Sequence, residues 1–261
     1  LPIFGAYDHV SRQAMLTAVA TNPTTAALLP LTRSFYGAPS EYVWYDQSLT
    51  PHTIHQGDGG EQGDPLMPAL FSLTLHSALQ AISRHLQPEE ALLAYLDDLY
   101  VISAPARTVP IFHLLETHLR AHAGISLHLG KIRIWNAAGE EPTDAHTLQP
   151  AAQAEPIWTG AWTLPAAEQG LKALGTPIGH PDYVAAALTA KRASHDRLLD
   201  AIPSVSDTQV AFLLLLQCAC PRANYLLRVL PPSQTDAFAQ AHDTAIAACL
   251  ARILTEGTPL P

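Results

Sequence analysis

Apolar residues recur at helical spacing across residues 66–86. Leu66, Leu70, Leu73, Leu75, Leu79, Ile82 and Leu86 give that stretch one broad apolar face, which predicts a core helix. Asp64 supplies an N-cap before it, and Pro65 and Pro68 suit its first turn. The same period predicts a helix over residues 11–20, capped by Ser11, and another over residues 109–122 with Ile111, Leu114, Leu115 and Leu119 on its apolar side. Residues 22–30 read as a turn-rich connector, and residues 31–36 as the end of a short helix. Strand-forming residues take over at 41–46, with 50–56 as the pairing strand. Residues 92–103 are two short apolar runs parted by Asp97 and Asp98, which predicts a hairpin with the acids at its turn. Residues 130–136 alternate basic and apolar side chains and read as another strand. Residues 140–163, rich in Ala, Pro and Thr, read as an irregular insertion.

From Tyr183 onward the pattern is helical throughout. One helix is predicted over residues 184–202. Ser206-Asp207-Thr208-Gln209 has the form of a capping box opening the next. Pro221 should end or kink that helix ahead of residues 222–230. Pro231-Pro232-Ser233 breaks the chain before a last helix over residues 236–254. The fold class read from this pattern is α+β, with a mixed first domain over residues 1–182 and an all-helical domain over residues 183–261. No internal repeat is visible.

Composition changes the picture in three respects. With 261 residues and 48% hydrophobic content, the chain can bury a large core. Its net charge of −9, with only 14 Lys and Arg, argues against an autonomous nucleic-acid binder, which normally carries a basic footprint. Cys218, Cys220 and Cys249 are odd in number and lack C-x-x-C spacing, so they suit buried packing in a reducing, intracellular compartment. The nucleus is one such compartment. The longest unbroken apolar run, residues 210–216, is too short to cross a bilayer, and no secretory signal is visible, so no membrane partner is expected. Oligomeric state is left open. Residues 1–4 read as the middle of a structural element, as in a chain that begins inside a domain.

Candidate chemistry centres on Asp97 and Asp98. Adjacent carboxylates repel, and are tolerable when solvated or when a cation sits between them and a substrate. The residues alone leave both readings open. They equally leave Tyr7 as an ordinary core aromatic and Lys131 as an exposed strand lysine. His52 and His55 have no third ligand nearby and read as strand residues. The glycines of residues 57–63 permit backbone conformations barred to other residues and let a ligand approach closely.

Taken in order, these pieces resemble the motifs of reverse transcriptases. Tyr95-Leu96-Asp97-Asp98 looks like the Tyr-x-Asp-Asp tetrad of motif C. Glu61-Gln62-Gly63-Asp64-Pro65-Leu66-Met67-Pro68 resembles motif B, in which the Gln-Gly pair lies against the incoming nucleotide and template. Residues 5–10 resemble the loop of motif A. Tyr7 takes the place of the aromatic residue beneath the incoming sugar. The metal-binding Asp of motif A lies five residues earlier, where this chain has Pro2. Residues 130–136 resemble motif D, whose Lys, here Lys131, is assigned to protonating the pyrophosphate leaving group. Residues 171–179 look like the primer-grip hairpin of motif E. The whole is most similar to reverse transcriptase-like proteins of non-LTR-type retroelements in protist genomes, notably those of dinoflagellates.

That resemblance implies a palm followed by a helical thumb, with the basic fingers segment largely missing upstream. It implies an RNA template, a DNA primer and deoxynucleoside triphosphates as partners. Two Mg²⁺ ions, roughly 3.5–4 Å apart, would be held by Asp97 and Asp98, with Asp97 the foremost ligand. Tyr7, Gln62, Gly63 and Tyr95 would bind substrate, and Asp97, Asp98 and Lys131 would carry the chemistry. Pro2 supplies no carboxylate, so the resemblance also implies a degenerate copy. The competing reading is a palm–thumb remnant without catalysis that still holds RNA or a partner.

Overall fold

The computed structural model describes residues 3, 5–61, 63–151 and 155–255. Pro2 and Gln62 lie outside them. The fold is α+β, built of helices and small antiparallel hairpins, and it divides into two compact units. The first unit is Leu1–Arg133 with Glu141–Trp158, and the second is Ile134–Glu140 with Thr159–Pro261. Residues 159–182, grouped with the first domain on sequence pattern, therefore keep company with the C-terminal helices.

In the first unit a single turn, α1 (Ala6–His9), precedes α2 (Arg12–Thr21). Ser11 caps α2, its hydroxyl accepting the Ala14 N–H at 3.2 Å. Helix α3 (Leu29–Tyr36) leads to the hairpin β1 (Ser40–Tyr45) and β2 (Pro51–Gln56). Next come α4 (Met67–Ser83), the hairpin β3 (Ala91–Tyr95) and β4 (Asp98–Ile102), and α5 (Thr108–Ala123). Helix α4 packs against both α2 and α5. The core consists of Met15 and Val19 from α2, Phe71, Leu75 and Ile82 from α4, Leu99 from β4, and Ile111, Leu115 and Leu119 from α5. Burying such side chains stabilises each by about 1.5–3 kcal/mol, which is why the helical period was readable in the chain.

Two readings need correction here. Helix α4 begins at Met67, not at Pro65. Asp64 instead caps a turn ahead of it, accepting the Leu66 N–H on its side chain at 2.8 Å and the Met67 N–H on its carbonyl at 3.1 Å. Residues 130–136 are not a strand. A 3₁₀ turn occupies Leu129–Lys131, and the Arg133 guanidinium donates to the Gly130 and Ile132 carbonyls and to Glu155. Those local bonds occupy the carbonyls a ladder would have used.

The second unit holds the hairpin β5 (Gly170–Ala173) and β6 (Thr176–Gly179), followed by α6 (Pro181–Ala201), α7 (Thr208–Leu214), α8 (Asn224–Val229) and α9 (Pro232–Thr255). Asp207, not Ser206, caps α7, its carboxylate accepting the N–H groups of Gln209 and Val210. A charged acceptor satisfies two orphan donors at once and complements the helix dipole. Leu215–Ala219 forms a π turn and Cys220–Ala223 a 3₁₀ turn, so the helix loses its regular period on reaching Pro221. The stretch Thr208–Val229 is long and apolar enough by composition to cross a bilayer, with a mean hydropathy of 1.4. Within this unit, Ala211, Leu215 and Ala219 are buried against Leu199, Cys249 and Ile253.

Candidate active site

Ile3 pairs with Leu127 in an isolated antiparallel bridge, and its N–H donates to the Asp97 carbonyl at 3.2 Å. The N-terminal segment is thereby stitched to the β3–β4 turn. That turn is two residues long, Leu96 and Asp97, between the paired Tyr95 and Asp98. Asp97 thus sits in the turn and Asp98 opens β4, both half-buried. Leu96 has φ 54°, a left-handed conformation costing a non-glycine residue roughly 1–2 kcal/mol. The fully buried Leu99, next along β4, fixes the hairpin to the core.

Gly5 turns the chain into α1 at φ 52°, and a Cβ there would fall 2.0 Å from the His9 ring. Helix α1 then sets Tyr7 edge-to-face on Phe71 of α4, with ring centroids 5.0 Å apart. Burial pushes the Tyr7 hydroxyl above its ordinary pKa, and the charge of Asp97 and the neighbouring Tyr95 push it the same way. Tyr95 itself is exposed. Asp97 and Tyr95 are thus close enough to act on Tyr7 electrostatically.

The glycine-rich loop closes on the same place through its backbone. The Gly60 N–H donates to the Tyr7 carbonyl at 2.7 Å, and the Gly59 N–H to the Val10 carbonyl at 2.8 Å. A Cβ on Gly59 would lie 2.2 Å from the Asp8 carbonyl oxygen, so only glycine allows this approach. Gly63 is exposed at φ 96°, with open space around it, and Gln62 lies outside the described residues.

Arg12 was not singled out by its sequence, yet it organises this region. It is 4% exposed. Its guanidinium donates to the Gly59 carbonyl at 2.7 Å, the Ala38 carbonyl at 2.8 Å and the Ser40 hydroxyl at 2.9 Å. It also lies 5.3 Å from the centre of the Tyr36 ring. Tyr36 is buried and donates its hydroxyl to Asp64. Burial, with that bond to Asp64, pushes its pKa up to about 12. The only hint in the chain was a cation in the first turn of α2, where the helix dipole favours acids.

Lys131 is exposed in its 3₁₀ turn, and no ion pair joins it to Asp97 or Asp98 among the described residues. His52 bonds Asp46 at 3.0 Å and stacks on Trp44, and His55 faces Glu41, so both serve the β1–β2 hairpin.

The arrangement is a carboxylate pair at a tight hairpin, within electrostatic reach of a phenol whose backbone the glycine loop bonds. The family model described as reverse transcriptase (RNA-dependent DNA polymerase) matches residues 1–178. The chain belongs to the reverse transcriptase family. It is also 34% identical, over 100 residues, to the retrotransposable element SLACS 132 kDa protein of Trypanosoma brucei gambiense. That match covers 38% of this chain and 8% of the relative, so the chain spans a small part of that protein's length. Reverse transcriptases act on an RNA template with nucleotide substrates and divalent metal ions.

Proposed function

We propose that residues 1–182 and 183–261 are the palm and thumb of a reverse transcriptase from a non-LTR-type retroelement. RNA template, DNA primer and incoming deoxynucleoside triphosphate would meet around Tyr7 and Asp97. The observation that carries this reading is the meeting of Tyr7, Asp97, Tyr95 and Gly60 from three separate stretches of chain. Tyr7 would underlie the incoming sugar, Gln62 and Gly63 would lie against nucleotide and template, and Tyr95 would border the primer end. Lys131 would supply a proton to the leaving pyrophosphate. The likeness to a retrotransposable-element protein supports the retroelement origin.

Two Mg²⁺ ions in such a cleft would act as Lewis acids on the attacking and leaving oxygens. Asp97 and Asp98 are the donors that would hold them, as hard cations require carboxylate oxygens. The donor set stops short of a two-metal site. Pro2 stands where the resemblance places the third carboxylate. Among the described residues, no group of three or more His, Cys, Asp or Glu could hold a metal. The residues present therefore do not complete the site, and this copy is a degenerate one that does not extend a primer unaided.

Titration with Mn²⁺, followed by paramagnetic broadening, tests the donor set without reference to activity. The chain should bind weakly, Asp97→Asn should abolish the site, and Pro2→Asp should tighten it about tenfold. Tight binding by the unmodified chain, insensitive to Asp97→Asn, would contradict the assignment.

A further inference from the structure

Three imidazoles gather where α4 ends beside α5 in the first unit. The His118 ring lies 5.8 Å from that of His85 and 5.7 Å from that of His122, centre to centre, and the His118 and His122 planes differ by only 19°. His85 and His122 are exposed and His118 is half-buried. Among the described residues, no hydrogen bond or ion pair engages any of the three rings. The packing of these helices does not need them, because Ile82, Leu115 and Leu119 supply the buried contacts.

His118 and His122 are four residues apart on α5, so they stand one above the other on a single face. That spacing lets a helix offer two imidazoles to one metal ion. With metal–nitrogen bonds of about 2.0–2.1 Å at a tetrahedral angle, two bound imidazoles have ring centres roughly 5 Å apart, so the observed 5.7 Å closes by small side-chain rotations. Arg120, between the two in sequence, is paired with Glu116 at 3.0 Å, which offsets its charge. No third protein ligand joins them among the described residues, so water fills the remaining positions. His85 has its carbonyl bonded by Arg107 at 3.2 Å, and Arg107 pairs with Glu90 at 2.8 Å, which holds the backbone and leaves the ring free. Beside His118, that ring is within reach of a metal-bound water, as outer imidazoles and carboxylates are in other metal sites.

We propose that His118 and His122 chelate a transition-metal ion of the Zn²⁺ class at the surface of α5, with His85 bonded to a water on the metal. Imidazole nitrogens favour such ions, whereas Mg²⁺ requires oxygen ligands. The site is therefore distinct in chemistry from the carboxylates Asp97 and Asp98, and neither stands or falls with the other.

Calorimetric titration of the full chain with Zn²⁺, and with Mg²⁺ in parallel, tests it. Zn²⁺ should bind and raise the melting temperature, because it binds the folded helix alone, and Mg²⁺ should do neither at this site. His118→Ala and His122→Ala should each weaken Zn²⁺ binding about tenfold or more, and His85→Ala by a smaller factor. His113→Ala, an exposed imidazole on the same helix whose ring contacts Phe112, should leave it unchanged. Circular dichroism should show the variants folded. The exposed His122 keeps the test decisive even if His118→Ala does not fold. Absence of saturable Zn²⁺ binding, binding that survives intact in His122→Ala, or equal weakening by His113→Ala would overturn the proposal.

Discussion

Arg12 shows most sharply what a side chain does here that its sequence neighbours do not reveal. A buried guanidinium satisfies three oxygens from the glycine loop and the start of β1, and truncation leaves those acceptors without their donor. Arg12→Ala should cost roughly 2–4 kcal/mol in urea unfolding, and Arg12→Lys should recover only part of it, because an ammonium cannot reproduce the fork. An Arg at a helix start reads as surface, and its unfavourable place against the helix dipole was the one local hint of its role. Tyr7 is the opposite case. Its place beside Asp97 was legible because a motif, not a propensity, carried it. Tyr36 offers a direct spectroscopic check. Its phenol should titrate near pH 12 by ultraviolet absorbance, well after the ordinary tyrosines, and Asp64→Asn should lower it only in part, because burial is the larger cause. A raised folded-state pKa means that its contribution to stability is complete below about pH 10 and is lost as pH rises toward 12.

Among the elements, helices were the most legible because their burial is periodic, and their ends the least. Helix α4 starts late because Asp64 is drawn to Tyr36 and to a preceding turn. Helix α7 chooses the charged Asp207 over Ser206. The strand expected at residues 130–136 gave way to local bonds made by Arg133, which alternation of residue types cannot foretell. The glycine loop depends on Gly59, whose φ is 74°. Gly59→Ala should lower the melting temperature and release the loop from α1, seen as faster amide exchange at Gly59's neighbour Gly60, because a Cβ meets the Asp8 backbone.

The packing of α6 on α9 carries a pH dependence. His195 is 1% exposed, neither of its ring nitrogens finds a hydrogen-bond partner, and its ring lies 5.4 Å from that of His242. Burial first, then His242, Lys191, Arg222 and Arg192, hold its pKa down to about 4. The unfolded chain binds this proton more readily, so stability is full above about pH 6.5 and falls as pH drops toward 4, by up to roughly 3 kcal/mol. His195→Leu should flatten that part of the pH–stability curve, as measured by thermal unfolding across the window.

At the scale of the whole chain, the order of hairpins and helices made the α+β class legible, and five motifs in sequence made the family legible. The excursion of Ile134–Glu140 into the second unit, and the return of Glu141–Trp158 to the first, were not. Residues 140–163 look featureless in composition, yet Ala145, Leu148 and Ile157 are buried. Single apolar residues spaced between turns have no period to betray them.

We propose that the residues around Tyr7 and Asp97 descend from a polymerase site in which Pro2 stands in place of a carboxylate. Removing one preorganised charge contact costs roughly 3–4 kcal/mol of transition-state stabilisation, or two to three orders of magnitude in rate. Primer extension on an RNA template with Mg²⁺ and all four deoxynucleotides, with Asp97→Asn in parallel, measures this directly. We expect no product above that control. Robust extension by the unmodified chain, abolished by Asp97→Asn, would show that another residue completes the metal site.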